Sequence, residues 1–471
     1  MTPSPRVSPD RAPAAAETAM GDPRSLVEQA RQRFAGAAGA ARPHVHGSVT
    51  DVVGLAVRVH GIRAGVGDLV TVHAAAGPVP AQVVAVHRDA AGDGATCLSL
   101  GHTTGIATGD EVIPARTPAR VPAGSGLLGR VVDALGRPLD GAGPLADVVL
   151  VPLDAAAPNP LHRRRVDRVL PTGVRAIDAF VPLGAGQRIG IMAGSGVGKS
   201  TLLGMAVRGT AAPVRVVALV GERGREVREF LEDTLDAESR ARTVVVVATG
   251  DDPPLLRLTA AFTATRVAEW FRDQGVDAML VVDSVTRTAL AQREVALAAG
   301  EPPATRGYPA SVFAMLPRLL ERSGPGAAGS ITALYTVLVE GDDLQDPVGD
   351  TVRGILDGHV VLDRALATAG HFPSIAVLDS VSRVDRAVLP PGRLALAASA
   401  RRLLAARRDV RELVEVGAYA RGSDPVADLA LDLAPRLDGF LRQAPGEVAD
   451  ADETWAALAA IVPADLAGAT A

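Results

Sequence analysis

A short apolar run, Arg188-Ile189-Gly190-Ile191-Met192, gives way to Ala193-Gly194-Ser195-Gly196-Val197-Gly198-Lys199-Ser200 and then to the amphipathic stretch Thr201-Leu202-Leu203-Gly204-Met205-Ala206-Val207. Strand, glycine-rich turn and helix in that order leave few folds open. The glycines let successive backbone N–H groups converge on phosphate oxygens while the helix aims its positive end at the same spot. Lys199 is the only lysine in the chain; every other residue among the 48 Lys and Arg is arginine. A compact ammonium with three donors enters between the β- and γ-phosphates of a nucleotide where a planar guanidinium does not fit. Ala193 stands where the strict pattern has its first glycine, but the close approaches fall at Gly196 and Gly198. The phosphate cradle is therefore read as Gly194, Ser195, Gly196, Val197, Gly198, Lys199, Ser200 and Thr201, with the Ser200 hydroxyl offered to Mg²⁺.

With 471 residues the chain is long enough for several domains. A formal net charge of −5 gives no global positive field of the kind that favours non-specific nucleic-acid binding. Cys97 is the sole cysteine, which excludes an internal disulfide and any multi-cysteine metal centre, and a reducing cytoplasm fits. Asp10, Glu17, Asp22 and Glu28 speak against a signal or transit peptide in the first 42 residues. The charge-free runs Leu69 to His87 and Ser323 to Val339 are broken by Gly and Pro and read as turns joined to buried strands, so any membrane association is expected to be peripheral.

Residues 1–42, rich in Pro, Ala and Arg, are read as a flexible tail, with a regulator-docking helix at Ser25 to Phe34 as the alternative reading. Residues 43–118 change to short Val-rich runs between Gly and Asp, the pattern of a small β-barrel. From 119 to 395, near-continuous apolar strands (188–192, 214–220, 243–248, 277–283, 330–338) alternate with helical stretches, which argues for a parallel sheet covered on both faces. Residues 396–471, rich in Ala, Leu and Arg, are read as a helical C-terminal domain.

Ligands of open α/β sheets lie at the carboxyl ends of the strands. One strand ends in Val220-Gly221-Glu222-Arg223 and places Glu222 where a carboxylate polarises an attacking water. Another ends in Val281-Val282-Asp283-Ser284 and places Asp283 where a carboxylate holds Mg²⁺. Either acid alone would also serve to cap the following helix; three phosphate- or metal-directed strand ends in one sheet favour a site. The charged stretch from Arg223 to Asp233 reads mostly as a solvated helix face, from which only Arg223 and Glu226 are singled out.

At these residues a resemblance becomes specific. Gly221-Glu-Arg-Gly-Arg-Glu-Val227, Asp283-Ser-Val-Thr-Arg287, Ala291-Gln-Arg-Glu294, Gly300 to Pro309 and Glu340 to Pro347 together resemble the ATPases of bacterial type III protein export, the flagellum-specific branch above all. The likeness runs from about His46 to Gln443. It implies a β-barrel, a RecA-like nucleotide domain and a helical C-terminal domain in a six-membered ring, the arrangement of rotary ATPase α and β subunits. It further implies that Phe372 packs on adenine and that Arg383 reaches the γ-phosphate of the neighbouring subunit; by themselves these residues read as a core Phe and a surface Arg. Two positions depart from the pattern, Ala376 for the usual polar residue and Ala310 for a second proline.

The expected function is Mg²⁺-dependent ATP hydrolysis by a homohexamer that energises export of flagellar proteins, with Lys199, Glu222, Arg223 and Arg383 in catalysis and Ser200 and Asp283 at the metal. The expected partners are a stator-like regulator at the N-terminal tail, and the membrane export gate with substrates and chaperones at the C-terminal domain. The expected location is the inner face of the cytoplasmic membrane. Alternatives are a virulence-type secretion ATPase, a rotary synthase catalytic subunit or, in another class, a RecA-like RNA translocase. The last is disfavoured by the absence of Phe, Trp or Tyr between Pro43 and Pro118.

Overall fold

A computed structural model describes residue 31 and residues 46–89, 92–339, 346–463 and 466. The tail read at 1–42, residue 31 apart, and most of the Glu340 to Pro347 motif lie outside the described residues.

Six short antiparallel strands, β1 (Gly47–Val53), β2 (Ala56–His60), β3 (Asp68–Ala74), β4 (Gly77–Asp89), β5 (Gly92–Ser99) and β6 (Glu111–Pro118), close into a barrel in the order β1-β2-β5-β4-β3-β6. Alternate residues point inward, and Val49, Val57, Val59, Val70, Val72, Val83 and Cys97 fill the interior. Burial pushes the Cys97 thiol up to about 12, so it is a small core residue in its neutral form. The first charge-free run becomes the β3/β4 hairpin.

A two-stranded ribbon, β7 (Arg120–Ala123) with β9 (Val149–Pro152), follows the barrel. The main sheet comprises β8 (Val131–Asp133), β10 (Arg188–Ala193), β11 (Val214–Glu222), β12 (Thr243–Thr249), β13 (Ala278–Asp283), β14 (Gly324–Pro325), β15 (Ser330–Leu338), β16 (Gly358–Val361) and β17 (Val381–Ser382). Its order is β17-β16-β10-β15-β13-β11-β12-β8, with β14 on β15, and every neighbouring pair from β16 to β8 is parallel. The second charge-free run is β14 and β15.

All nine residues of β11 and all six of β13 are buried, as strands covered on both faces must be. The two-residue period sorts their side chains into two cores. Val217, Leu219, Val245, Met279, Val281 and Leu334 belong to one; Val216, Ala218, Val244, Leu280, Val282 and Tyr335 belong to the other. The first core packs the helix Lys199–Gly209 together with the C-terminal helices Pro391–Glu415, Pro425–Leu441 and Ala451–Ala459. The second packs Pro254–Asp273, Val285–Ala298 and Ala310–Leu320. The α/β core with its barrel and helical end is the fold class expected from the sequence, and Ala310 is the exposed first residue of its helix. No helix among the described residues is long and apolar enough to cross a membrane.

Candidate nucleotide site

β10 delivers the glycine-rich loop. Ala193 closes the strand, accepts a hydrogen bond from Val339 N (3.0 Å) and buries its methyl group in the first core, so no glycine is required there. Gly198 has φ +89°, a backbone state that favours glycine, and a Cβ on it would stand 3.4 Å from the Phe372 ring. Lys199 begins the helix, and Ser200 and Thr201 are exposed in its first turn. The loop is braced by the segment that follows β16, the strand beside β10: Ser374 Oγ donates to Val197 O (2.6 Å) and Arg364 Nη1 to Ser195 O (3.1 Å).

Behind the loop the two acids meet the lysine. Lys199 Nζ pairs with Asp283 Oδ1 and lies 3.4 Å from Glu222 Oε1, with the carboxylate side chains only 4% and 7% exposed. Thr336 Oγ1 donates to Asp283 Oδ1 at 2.8 Å. Gly221, φ +68°, sits at an irregularity of β11 between Val220 and Glu222, and this bulge turns Glu222 into the site. A Cβ on Gly221 would meet the Arg287 side chain at 3.0 Å. Arg287 donates to Gly221 O and pairs with Glu222 Oε2 at 3.2 Å.

Burial pushes the Glu222 carboxyl up to about 7; the Lys199 and Arg287 charges oppose that rise, while Asp283 and a hydrogen bond with Glu226 add to it. That hydrogen bond in turn holds Glu226 below its ordinary value. A cavity of about 670 Å³ opens here, bounded by the loop, Glu222, Glu226, Arg287 and Arg364.

The structure thus brings Lys199, Glu222 and Asp283 together. Arg223 lines the same cavity at its rim, its side chain 74% exposed and paired with Glu226 at 3.3 Å. Arg287, one helical turn after Asp283, occupies the position against Glu222; it belongs to the Asp283 to Arg287 motif, and the signal was its place just beyond a functional strand end. Phe372 lies over the loop and is 41% exposed. Its carbonyl accepts from Gln443 N (3.0 Å), and the buried Gln443 amide accepts from Arg175 N (2.9 Å) and donates to Gly173 O (2.7 Å), so the helical end holds the ring in place. Nothing in the sequence around Gln443 announced this. At Ala376 the backbone supplies the local bonds, Ser380 Oγ donating to Ala376 O at 2.7 Å.

Arg383 is not in this cluster. It follows β17, which pairs antiparallel to β16 with Ser382 beside Gly358, and Arg383 N donates to Asp357 O (2.9 Å). Asp357 is level with Arg188, the first residue of β10, whereas the loop leaves the last, Ala193. At about 3.3 Å per residue the two ends are about 17 Å apart. The Arg383 guanidinium is exposed at the foot of the sheet, far from its own chain's loop.

The site tests well for Mg-nucleotide. The loop glycines keep backbone space that side chains would fill, the ammonium is held by carboxylates where phosphate would draw it, and hydroxyl and carboxylate oxygens are hard donors suited to Mg²⁺.

Fold and site together define a P-loop nucleotide-binding protein with a barrel before the ATPase core and helices after it. Residues 173–382 match the ATP synthase alpha/beta family nucleotide-binding domain, and 389–460 match the T3SS EscN ATPase C-terminal domain. The flagellum-specific ATP synthase of Bacillus subtilis (strain 168) is 47% identical, aligning 88% of this chain with 95% of that one. The type 3 secretion system ATPase of Xanthomonas euvesicatoria is also 47% identical, over 88% and 94% of the two chains. The assembled ATPase EscN of the enteropathogenic E. coli type III secretion system superposes with TM-score 0.84 at 42% identity, covering 88% of this chain and all (100%) of that one. The chain belongs to the ATP synthase α/β family, within the flagellum-specific and type III secretion ATPases, and it is an ATP-binding ATPase.

Proposed function

We propose that this protein is an Mg²⁺-dependent ATPase whose homohexamer energises export of flagellar proteins. The observation that carries the reading is the division of the chemistry. One end of the sheet holds a lysine neutralised by two buried acids, and the other exposes an arginine too far away to serve that site. A chain with half of a site at each end works by pairing with copies of itself. EscN has been solved assembled, and also in complex with its central stalk EscO, which supports a ring and a regulator here.

When ATP binds, the loop amides from Gly194 to Thr201 take the phosphates and Lys199 exchanges its carboxylate partners for them. Ser200 and Asp283 would hold Mg²⁺, which neutralises charge on the β- and γ-phosphates. Glu222, freed from the ammonium and oriented by Arg287, takes a proton from the attacking water. Phe372 stacks on adenine, and the neighbour's Arg383 stabilises charge spreading onto the γ-phosphate. Arg223, at the rim of the same cavity, is the remaining residue assigned to catalysis.

We assign residues 43–118 to the barrel, 119–395 to the ATPase core and 396–471 to the helical domain. The tail at 1–42 docks the regulator, and the helical domain faces the export gate, substrates and chaperones. The protein works in the cytoplasm at the membrane's inner face. A virulence-type secretion system is the second reading, because relatives of both branches match at 47% identity.

The lone lysine provides the test. An amine-directed acylating reagent meets only the α-amino group and Lys199, since arginine stays protonated. Acylation of Lys199 is expected to follow loss of hydrolysis in proportion, with Mg-ATP protecting it. Full acylation with unchanged hydrolysis would sink the reading. Accumulation of unexported flagellar subunits in a strain carrying only Glu222→Gln would separate the flagellar reading from the virulence one.

A further inference from the structure

At the foot of the sheet, the segment that carries Arg383 is tied to the root of the strand that carries the phosphate loop. Gln187, the residue before β10, is fully buried at 0% exposure. Its Oε1 accepts from Gly184 N (2.9 Å), and its Nε2 donates both to Asp357 O (3.0 Å) and to Ser382 Oγ (3.1 Å). Ser382 Oγ in turn donates a hydrogen bond to Pro182 O (2.8 Å). Asp357 O is also the acceptor for Arg383 N, and the Asp357 carboxylate grips Arg188 through N (3.0 Å), Nε (3.1 Å) and Nη2 (3.2 Å). One buried amide thus spends both of its donors on the residue before Arg383 and on the carbonyl that Arg383 N binds.

From this arrangement we infer that Gln187 is a positioning residue for Arg383, acting through Asp357 and Ser382 to fix the backbone from which the guanidinium reaches the adjacent subunit. The inference rests on the proposed role of Arg383 in the neighbouring site. The physical need is plain. Arg383 is exposed, donates only a long 3.5 Å contact to Arg353 O, and pairs with no carboxylate among the described residues, so its own side chain does little to define its place. A long side chain on a loose backbone would lose entropy on reaching the neighbour's phosphate; a backbone clamped by a buried hydrogen-bond network has already lost it. The amide is also costly to leave half-satisfied once buried, which keeps the network closed.

Replacing Gln187 with Leu removes both donors at similar volume. Displacing a reacting group by about 1 Å costs roughly 100-fold, so Gln187→Leu is expected to lower turnover by about 10- to 100-fold while Mg-ATP affinity, measured on the same preparation, stays near that of the parent. Ser382→Ala, a gentler cut in the same network, is expected to lower turnover by less.

Mixed assemblies decide between positioning and general damage. Chains carrying Gln187→Leu keep an intact loop site and lack a placed arginine. Mixed with Glu222→Gln chains, which keep the arginine, they should regain activity; mixed with Arg383→Ala chains, they should not. Recovery with Arg383→Ala and none with Glu222→Gln would mean that Gln187 serves its own chain's site, and the inference falls. Normal turnover in Gln187→Leu beside an impaired Arg383→Ala overturns the inference alone. Normal turnover in Arg383→Ala overturns the role of Arg383, and this inference with it.

Discussion

The two ends of the central sheet solve opposite electrostatic problems. At the carboxyl end, Lys199, Asp283, Glu222 and Arg287 are mutually neutralised with side chains between 4% and 30% exposed. At the foot, Arg383 stands in solvent and only its backbone is anchored, through Asp357 and Ser382. Charges that act within their own chain can be buried early because their counter-charges are present. If Arg383 acts on a neighbour, as proposed, its charge must wait in water, and its precision has to come from the main chain. The comparison also explains why the lysine is held so closely. In the proposed mechanism the carboxylates are placeholders for phosphate, and binding exchanges one set of anions for another without exposing an unpaired charge.

The comparison predicts its largest effect at the exposed end. Arg383→Ala should leave Mg-ATP affinity nearly intact and cut turnover by roughly 1,000- to 100,000-fold, the range of arginines supplied in trans. Equal losses of affinity and turnover would instead make Arg383 part of its own chain's binding site and break the contrast. Glu222→Gln comes next. Its shape and its hydrogen bond to Lys199 survive, so nucleotide should still bind while hydrolysis falls by roughly 100- to 10,000-fold. Turnover close to the parent would remove Glu222 from water activation. Phe372→Ala should act on affinity more than on turnover, by about 5- to 100-fold for loss of a stacked aromatic face; a titration with ATP and with tripolyphosphate should show the loss for the first ligand only.

The smallest effects concern protons. With its carboxyl pushed up to about 7 by burial, Glu222 holds a proton in the folded, nucleotide-free protein over a range where the unfolded chain, at about 4.5, has released it. The folded state binds more protons across that window, so this group's contribution to stability is fully present below about 4.5 and is lost as pH rises through about 7. Melting temperatures of the parent and Glu222→Gln should therefore converge at the acid end of the range and separate toward pH 8, the variant being the more stable. For kcat/KM the sign is opposite, because the ionised form accepts the proton: the parent should gain activity through about pH 7 and the variant should show no such limb. A parent and a variant that keep the same melting difference at every pH would place the Glu222 proton elsewhere.

Much of this was legible beforehand, for local reasons. The loop, its strand and its helix are contiguous in the chain. Strand ends at Glu222 and Asp283 could be read because buried parallel strands are apolar until they reach a ligand. The barrel followed from short Val-rich runs with turn punctuation. The exposed Arg223 and the inward Arg287 were harder, because two arginines in charged stretches look alike until a glycine bulge and a helix start decide which one turns inward.

The amino-acid sequence by itself determined the phosphate loop, the acids at the strand ends and the alternation that builds a two-faced sheet, since each depends on neighbours a few residues away. Only the tertiary structure decided that Lys199 meets Asp283 and Glu222, that Gln443 holds Phe372, and that Gln187 holds the Arg383 segment; these partners are 84, 23, 71 and 196 residues apart in the chain. Strand order brings such residues together, and strand order is set by which apolar faces pack on which helices, a property of the whole core and of no single segment.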